Sequence, residues 1–214
     1  MRVGSMLIGG LLITMLFAPS VAEGLGLIPT GTFEIVPGDS SIVFAVPDNR
    51  GGFSGRTTQV TGRVAVAAGA AGETYAARVA ATIDTGTITT GNALRDASMR
   101  ATFLQTRQYP VITFAGTVTA TPGLGVHPFP AAVRGTLTIR NVTRDVEFAA
   151  TVTALAHEYL ADATTTIRMA DYQIPYPRAF IFVARDPVTL TLHIRSRQPD
   201  GGGFPARRGA ARRP

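Results

Sequence analysis

The residues best suited to chemistry in this sequence are two carboxylates and one guanidinium in a short stretch, Asp84, Arg95 and Asp96. Two carboxylates beside a cation could serve as acid and base in a lipid hydrolase or isomerase. Arg95 could instead bind the polar head of a lipid through charge-assisted hydrogen bonds to a phosphate or carbonyl oxygen. A third interpretation is architectural, with Arg95 and Asp96 forming an ion pair or a helix cap. The residues alone leave the three interpretations open.

Other catalytic or metal-binding patterns are missing from the sequence. Cysteine is absent, which excludes thiol nucleophiles and thiolate metal sites. The histidines, His127, His157 and His193, lack the i, i+4 spacing of a helical zinc motif and are interpreted as surface residues. Residues 52–56 lack the second glycine of a G-x-S-x-G nucleophile elbow. We therefore expect no catalytic residue, no metal and no cofactor.

Positive charge is concentrated at the C-terminus. All twenty basic residues are arginine, and the formal net charge is +6. Residues 196–214 hold five arginines against Asp200, so residues 23–195 carry a net charge of only +1. So small a charge is no footprint for nucleic acid. The tail, rich in Gly, Pro and Arg, is expected to be disordered. It would either contact an anionic membrane peripherally or simply aid solubility.

The N-terminal residues have the order of a secretory signal. Arg2 precedes an apolar run from Met6 to Ala18, and small residues follow at Ser20 and Ala22. The run is shorter than the ~20 residues that span a bilayer. This favours a cleaved leader at residues 1–22 over a membrane anchor. We expect a periplasmic or secreted protein, with a linker at residues 23–31 before the folded domain.

The elements that must position these residues are strands. Apolar and polar residues alternate in residues 60–66, 75–83, 111–119 and 188–195, which is typical of strands with one buried face. Less regular patterns, including residues 33–46 and 180–183, raise the count to eight to ten strands joined by Gly, Pro and Asp turns. The pattern predicts an all-β antiparallel barrel or sandwich.

One helix is predicted over residues 92–104, where it would cover one end of the barrel. Gly91 or Asn92 would begin it. Its apolar face would comprise Leu94, Ala97, Ala101 and Leu104.

The interior of a barrel of about eight strands can be filled by side chains or can hold a ligand. Small residues at inward positions favour a cavity: Ala81, Gly116, Gly135 and Ala150. A core filled by Phe44, Phe114, Leu137 and Leu190 is the alternative. The predicted pocket residues are Phe44, Ile83, Ile112, Phe114, Leu137, Ile139, Phe148, Leu190 and Leu192. Tyr172 and Tyr176 would line the entrance, since a phenol offers both an apolar ring and a hydroxyl group. Ordinary loop packing is the alternative for both.

Two segments carry a resemblance to a known family. Residues 82–114, TIDTGTITTGNALRDASMRATFLQTRQYPVITF, and residues 133–148, VRGTLTIRNVTRDVEF, have the order of elements that resembles the YceI family. The resemblance extends over residues 32–195. It implies an antiparallel lipocalin-like barrel of about eight strands with one short helix capping an end. It also implies a bound polyisoprenoid or isoprenoid quinone, and a head-group or lid role for Arg95 and Asp96. A His common in the family is Ser98 here.

The predicted function is non-enzymatic binding, and transport or storage, of a long apolar lipid in the barrel interior. One alternative is a structural or interaction barrel without bound lipid. Another is a lipid-modifying enzyme that uses Asp84, Arg95 and Asp96. An isoprenoid lipid is the expected partner, nucleic acid is not, and a homodimer is left open.

Overall fold

The structure is a computed structural model that describes residues 28–68, 74–121, 127–176, 178–179 and 182–199. The predicted leader, residues 23–27 of the predicted linker and residues 200–214 of the predicted tail lie outside the described residues. Within this part of the chain the strands are β1 (Gly31–Ile35), β2 (Ser41–Val46), β3 (Phe53–Thr57), β4 (Val60–Ala68), β5 (Tyr75–Asp84), β6 (Val111–Ala120), β7 (Phe129–Ile139), β8 (Val142–Leu155), β9 (Glu158–Ile167), β10 (Arg178–Ala179), β11 (Phe182–Val183) and β12 (Val188–Arg197).

Ten of the strands form one closed antiparallel sheet. Their order is β1-β4-β5-β6-β7-β8-β9-β12-β2-β3, and β1 also pairs with β12, which closes the ring. Strands β1 and β2 lie in succession along β12. Strands β4 and β3 lie in succession along β1 and β2, so each pair follows the path of one bent strand. The result is an eight-stranded barrel, which confirms the predicted fold. Strands β10 and β11 pair separately.

The barrel closes at the bend between β1 and β2. Here the backbone moves away from β12. The buried side chain of Ser40 forms hydrogen bonds that replace part of the backbone pairing with β12. Its hydroxyl group accepts a hydrogen bond from the Arg195 N–H at 3.0 Å and donates one to the Arg195 carbonyl at 3.2 Å. The Val36 N–H donates to the same carbonyl at 2.9 Å. The bend therefore leaves the Arg195 backbone paired, as a barrel without free edges requires.

The alternating pattern places polar side chains outside the barrel. Thr82, Thr113, Thr138 and Thr143 face one another across four neighbouring strands. The hydroxyl groups of Thr138 and Thr143 lie 2.8 Å apart and share a hydrogen bond. β-Branched residues and cross-strand threonine pairs suit such a surface. Residues next to these threonines along their strands, such as Ile83, Ile112 and Leu137, point inward and are apolar.

One end of the barrel, here called the closed end, is filled by a packed core. It lies at the β4–β5, β6–β7 and β8–β9 connections. The Phe33 and Tyr159 rings meet edge to face with centroids 4.8 Å apart, and the Tyr159 hydroxyl donates to the Pro29 carbonyl. Burial raises the pKa of Tyr159. The core comprises Ile28, Phe33, Val66, Phe129, Ala131, Val152, Ala154 and Tyr159.

The predicted helix exists, but its buried face is different. An α-helix, α1 (Ala93–Ser98), continues into one π-helical turn, Met99–Phe103. The Asn92 side chain caps α1 by accepting from the Arg95 N–H at 3.0 Å. Asp96 and Met99 are the buried residues, whereas Ala97 and Ala101 are exposed. Of the predicted apolar face, Leu104 packs against the core, but the prediction was wrong for Leu94, Ala97 and Ala101, which are exposed.

The reason for this error lies within α1 itself. Hydrogen bonds from Thr89 and Thr90 hold the Asp96 side of the helix inward, which leaves Leu94 and Ala97 exposed. Among the described residues, no helix combines the length and the hydrophobicity needed to cross a bilayer.

Two strand predictions were also incomplete. Residues 33–46 were expected to form one strand, but the chain bends between Ile35 and Ser41. Strand β3, Phe53–Thr57, was not predicted, because its sequence FSGRT is short and contains a glycine. Of the predicted strand at residues 180–183, only the two residues of β11 are described.

A group of four charges fastens β12 to its neighbours near the closed end. Arg195 forms two hydrogen bonds with Glu158, at 2.8 and 2.9 Å, and Arg197 forms one at 3.1 Å. Asp39 lies 3.6 Å from the Arg195 guanidinium and 3.3 Å from that of Arg197. Hydrogen bonds from Arg195 and then Arg197 lower the pKa of Glu158 to about 2.

We predict that Glu158→Gln lowers the Tm at pH 7. Because the pKa of Glu158 falls on folding from 4.5 to about 2, the ionised carboxylate stabilises the folded state above pH 4.5. This stabilisation disappears as the pH falls from 4.5 towards about 2. The Tm difference between wild type and variant, measured by calorimetry against pH, should narrow over that interval.

The matched control is Glu147→Gln, which breaks a single exposed pair with Arg134 at 2.7 Å. Exposed pairs contribute little, so its Tm should change less. A Tm difference for Glu158→Gln that is independent of pH, or no larger than that of the control, would contradict the assignment.

Candidate ligand cavity

The barrel interior encloses a cavity of about 760 Å³. This volume lies in the upper part of the ~300–1,000 Å³ range of small-molecule pockets. Every strand of the barrel contributes inward side chains. The wall is made mainly of aliphatic and phenylalanine side chains from β2, β4, β5, β6, β7, β8, β9 and β12, among them Phe44, Val64, Val79, Ile112, Phe114, Leu137, Val146, Phe148, Ala163, Ile167, Leu190 and Leu192.

Glycines keep the phenylalanines against the wall. Gly116 and Gly135 are opposite each other on β6 and β7, and the Phe114 ring lies over both. A Cβ atom on Gly116 would meet the Arg134 carbonyl oxygen at 2.5 Å and the Phe114 Cζ at 2.7 Å. Gly55 on β3 has the same relation to Phe44, whose ring would clash with any Cβ there. The rings thus occupy space next to the wall that a side chain at each glycine position would fill.

The cavity opens at the end opposite the closed end. Its exposed lining residues are all at this mouth, on the β2–β3 hairpin and α1: Arg50, Leu94, Arg95 and Ser98. The lining residues at the closed end are buried, including Val152, Tyr159 and Ser196. Among the described lining residues, charged side chains occur only at the mouth, as Asp48, Arg50 and Arg95.

Two of the mouth charges have defined neighbours. Asp48 accepts the Arg50 N–H at 2.6 Å and the Gly52 N–H at 2.8 Å, which holds the hairpin turn. These bonds, that from Gly52 first, lower the pKa of Asp48. The Arg95 guanidinium lies 4.5 Å from the centre of the Phe53 ring, a cation–π contact. Arg95 is therefore held at the rim by this ring contact, with its charge at the mouth.

Asp96 fastens the helix to the rim. Its carboxylate accepts hydrogen bonds from the Thr89 hydroxyl at 2.6 Å, the Thr90 hydroxyl at 2.6 Å and the Thr90 N–H at 2.7 Å. These bonds, that from Thr89 first, lower the pKa of Asp96 to about 2. Thr89 in turn pairs with the backbone of Arg56 on β3, at 2.8 and 3.0 Å. The helix, the preceding loop and the barrel wall are thus joined through one buried carboxylate.

The structure brings most of the predicted residues to the cavity. All nine predicted pocket residues line it, as does Arg95. Asp96, Tyr172 and Tyr176 do not. Tyr172 is fully buried in a short turn (Met169–Tyr172), where burial raises its pKa. The Tyr176 hydroxyl donates to Asp186 at 2.7 Å. The ligand contacts of the nine residues stay predictions.

Several lining residues were missed by the sequence patterns. Met169, Ile174 and Ala184 lie in the β9–β12 connection and close part of the mouth. They are irregular in sequence, so no period marks them. Met99 was missed because the predicted helix face was wrong. An apolar residue inside a Pro-rich loop, as at Ile174, was the only signal available.

The two alternative functions make different demands on this geometry. A filled barrel would bring Phe44, Phe114 and Leu190 together at the axis, where the structure has a cavity instead. An enzyme would gather Asp84, Arg95 and Asp96 around one bound atom. Only Arg95 lines the cavity, while Asp84 accepts the Gly86 N–H at 2.8 Å. No cluster of metal-binding side chains occurs among the described residues.

Both the sequence and the fold of this chain are similar to those of known proteins. Residues 33–196 match the family described as YceI-like domain. BcnA of Burkholderia cenocepacia is 17% identical with a TM-score of 0.60, over 75% of this chain and 98% of that chain. A polyisoprenoid binding domain from Saccharophagus degradans, implicated in plant cell wall breakdown, is 18% identical with a TM-score of 0.60, over 80% of this chain and 100% of that chain.

A third solved structure, the YCEI protein of Campylobacter jejuni, is 16% identical with a TM-score of 0.50, over 68% of this chain and 85% of that chain. At such identities the likeness shows a shared barrel fold. No curated protein matches the sequence.

We predict that Asp96→Asn loosens the helix while the barrel stays folded. The amide nitrogen of Asn cannot accept the hydrogen bonds that a carboxylate oxygen receives from Thr89 or Thr90. Hydrogen exchange at the Thr90 amide and in residues 93–104 should accelerate by about tenfold or more, because bonds to charged groups are strong. The matched control, Asp145→Asn, changes an exposed carboxylate on β8. Equal exchange in the two variants would exclude Asp96 as the fastening residue.

Proposed function

We propose that this chain, which belongs to the family of YceI-like domains, binds one long apolar lipid in the interior of its barrel. The cargo is an isoprenoid lipid or an isoprenoid quinone, and the protein transports or stores it without chemical change. The observation that supports this most directly is the apolar cavity of about 760 Å³ along the barrel axis. Burying each methylene group contributes ~0.8 kcal/mol, so an apolar tunnel can hold a prenyl chain with few polar contacts.

The distribution of polarity gives the bound lipid a direction. The deep wall consists mainly of Ile, Leu, Val, Ala and Phe, with Tyr159, Thr165 and Ser196 as hydroxyl-bearing members. The charged lining residues lie at the mouth. A lipid with a polar or anionic head would therefore enter tail first and leave its head near Arg95. A guanidinium is suited to a phosphate or quinone oxygen, since it offers several N–H donors in one plane.

Non-enzymatic binding is supported by the hydrogen bonds that the two candidate catalytic carboxylates, Asp84 and Asp96, already form. Asp96 is surrounded by three hydrogen bonds from threonines and lies outside the cavity lining. Its lowered pKa of about 2 keeps it ionised, which unsuits it as a general acid. Asp84 holds a turn. One protein with a similar fold is a polyisoprenoid binding domain from Saccharophagus degradans. This similarity supports an isoprenoid lipid as the cargo.

The proposal includes export. The predicted leader at residues 1–22 would deliver the barrel to the periplasm or the cell exterior, where apolar lipids need a carrier to cross water. The absence of cysteine is compatible with an oxidising compartment.

The experiment that tests the function is mass spectrometry of the protein isolated from its exported location. The protein is analysed intact under native conditions and again after organic extraction. A prenyl chain or quinone in stoichiometric amount is the expected result. A protein that carries no lipid, and that also fails to take up added polyprenyl lipid, would refute the proposal.

We predict that Ala163→Phe weakens lipid binding by about tenfold or more. Ala163 on β9 lines the cavity, so a phenyl ring there displaces ligand carbons, and losing two buried methylenes at ~0.8 kcal/mol each already gives that factor. Binding is measured by displacement of a fluorescent apolar probe, which is undisturbed by tryptophan because the chain has none.

The matched control is Ala80→Phe, at an exposed position on the outer face of β5. It introduces the same ring but leaves the cavity unchanged, so binding should stay within about twofold. Calorimetry establishes that both variants are folded. Equal affinities in the two variants would show that the lipid binds elsewhere.

A further inference from the structure

The arginines of the barrel are distributed unevenly between its two ends. The mouth end lies at the β2–β3, β5–β6, β7–β8 and β9–β12 connections. Among the side chains that the structure describes, nine arginines lie there against six carboxylates, an excess of three positive charges. The arginines are Arg50, Arg56, Arg95, Arg100, Arg107, Arg140, Arg144, Arg168 and Arg185, and the carboxylates are Asp48, Asp84, Asp96, Asp145, Asp171 and Asp186.

The rest of the barrel is electrically balanced. Its described arginines are Arg63, Arg78, Arg134, Arg195 and Arg197, and its carboxylates are Glu34, Asp39, Glu147, Glu158 and Asp162. Within this balanced part, Arg63, Arg134, Arg195 and Arg197 each form an ion pair with a carboxylate.

Several mouth-end arginines are held by neutral groups instead. Arg100 donates to the Ile88 carbonyl at 3.1 Å, and Arg140 donates to the Gln173 carbonyl at 2.6 Å. Such bonds orient a guanidinium without cancelling its charge. The positive excess at the mouth end is therefore a property of the folded surface.

An exposed leucine lies within this positive surface. The Leu94 side chain on α1 is 85% exposed, whereas the other exposed large hydrophobic residues that the structure describes are between 36% and 45% exposed. Leu94 lines the cavity mouth and directly precedes Arg95. Apolar side chains beside cations are typical of segments that bind the interface of an anionic bilayer.

We propose that the mouth end docks on the surface of an anionic bilayer. Leu94 enters the interface, and the surrounding arginines lie against the phosphate head groups. The cavity then opens towards the membrane that contains apolar lipid, so that cargo passes between bilayer and barrel with little exposure to water. The purpose of this docking rests on the proposed function, but the docking itself is independent of the identity of the cargo.

The end of β12 offers the opposite geometry, which makes the orientation testable. Strand β12 ends at the closed end, where the Gln198 N–H donates to the His157 carbonyl at 2.9 Å. A membrane contact at this end of β12 would bring the closed end to the bilayer. Leu155, 43% exposed at the β8–β9 turn, marks that end as Leu94 marks the mouth.

The first experiment labels single cysteines in the full chain, which has no native cysteine. Leu94→Cys and Leu155→Cys each receive an environment-sensitive fluorophore and are mixed with vesicles of phosphatidylcholine, with or without phosphatidylglycerol. We expect a blue shift only for the label at position 94 and only with phosphatidylglycerol. A shift confined to position 155, equal shifts at both positions, or no shift at either would overturn the proposal.

The second experiment compares two double substitutions by vesicle co-sedimentation. Arg107→Gln with Arg168→Gln removes two exposed charges at the mouth end, and Arg63→Gln with Arg78→Gln removes two exposed charges from the wall. Each arginine near an anionic surface is worth ~1 kcal/mol, so the mouth pair should reduce vesicle binding about 30-fold. The wall pair should change it less than about twofold. Equal losses in the two variants would overturn the docking.

The same proteins are tested for lipid uptake in solution, without vesicles. Uptake of polyprenyl lipid with no vesicle binding refutes the docking and leaves the proposed function standing. Vesicle binding without any lipid uptake refutes the proposed function and leaves the docking standing.

Discussion

The property on which the rest of this structure depends is the unfilled interior of an eight-stranded barrel. A barrel of this size is just wide enough to be filled by its own side chains. Here Gly116 and Gly135 leave room for the Phe114 ring, and Gly55 leaves room for Phe44, because a Cβ atom at these positions would crowd the ring. Both phenylalanines line the cavity and add to its apolar surface. An apolar surface of this extent is unfavourable in water, so an apolar ligand gains most of its binding free energy by covering it.

The two ends of the barrel solve different problems. At the closed end, Phe33 and Tyr159 complete a packed core, and the Tyr159 hydroxyl is paired with a backbone carbonyl rather than left unbonded in the interior. At the mouth, a short helix held by Asp96 covers only part of the opening. The polar groups of the mouth are therefore divided between structure and binding: Asp96 fixes the helix, and Arg95 stays at the rim of the cavity.

Much of the fold followed from the sequence because strands with one buried face leave a clear period. The regular alternation in β5, β6 and β12 gave correct inward faces, and the nine residues drawn from such patterns all line the cavity. The bend between β1 and β2 could not be found in this way. It depends on Ser40 pairing with Arg195, which is distant in sequence. The helix face was mistaken because its buried side is set by Asp96, and a buried aspartate has no hydrophobic signature.

The uneven distribution of charge between the two ends of the barrel could not be predicted from the sequence alone. The sequence places the positive charge in the C-terminal tail, and the barrel as a whole is almost neutral. Only the strand register shows that this near-neutrality is an average over a balanced closed half and a positive mouth. Because electrostatic attraction to a surface decays within ~10 Å at moderate salt, the local excess at the nearest face governs orientation more than the net charge does. A barrel whose cavity mouth, exposed leucine and positive excess share one end would thus approach an anionic bilayer with its opening first.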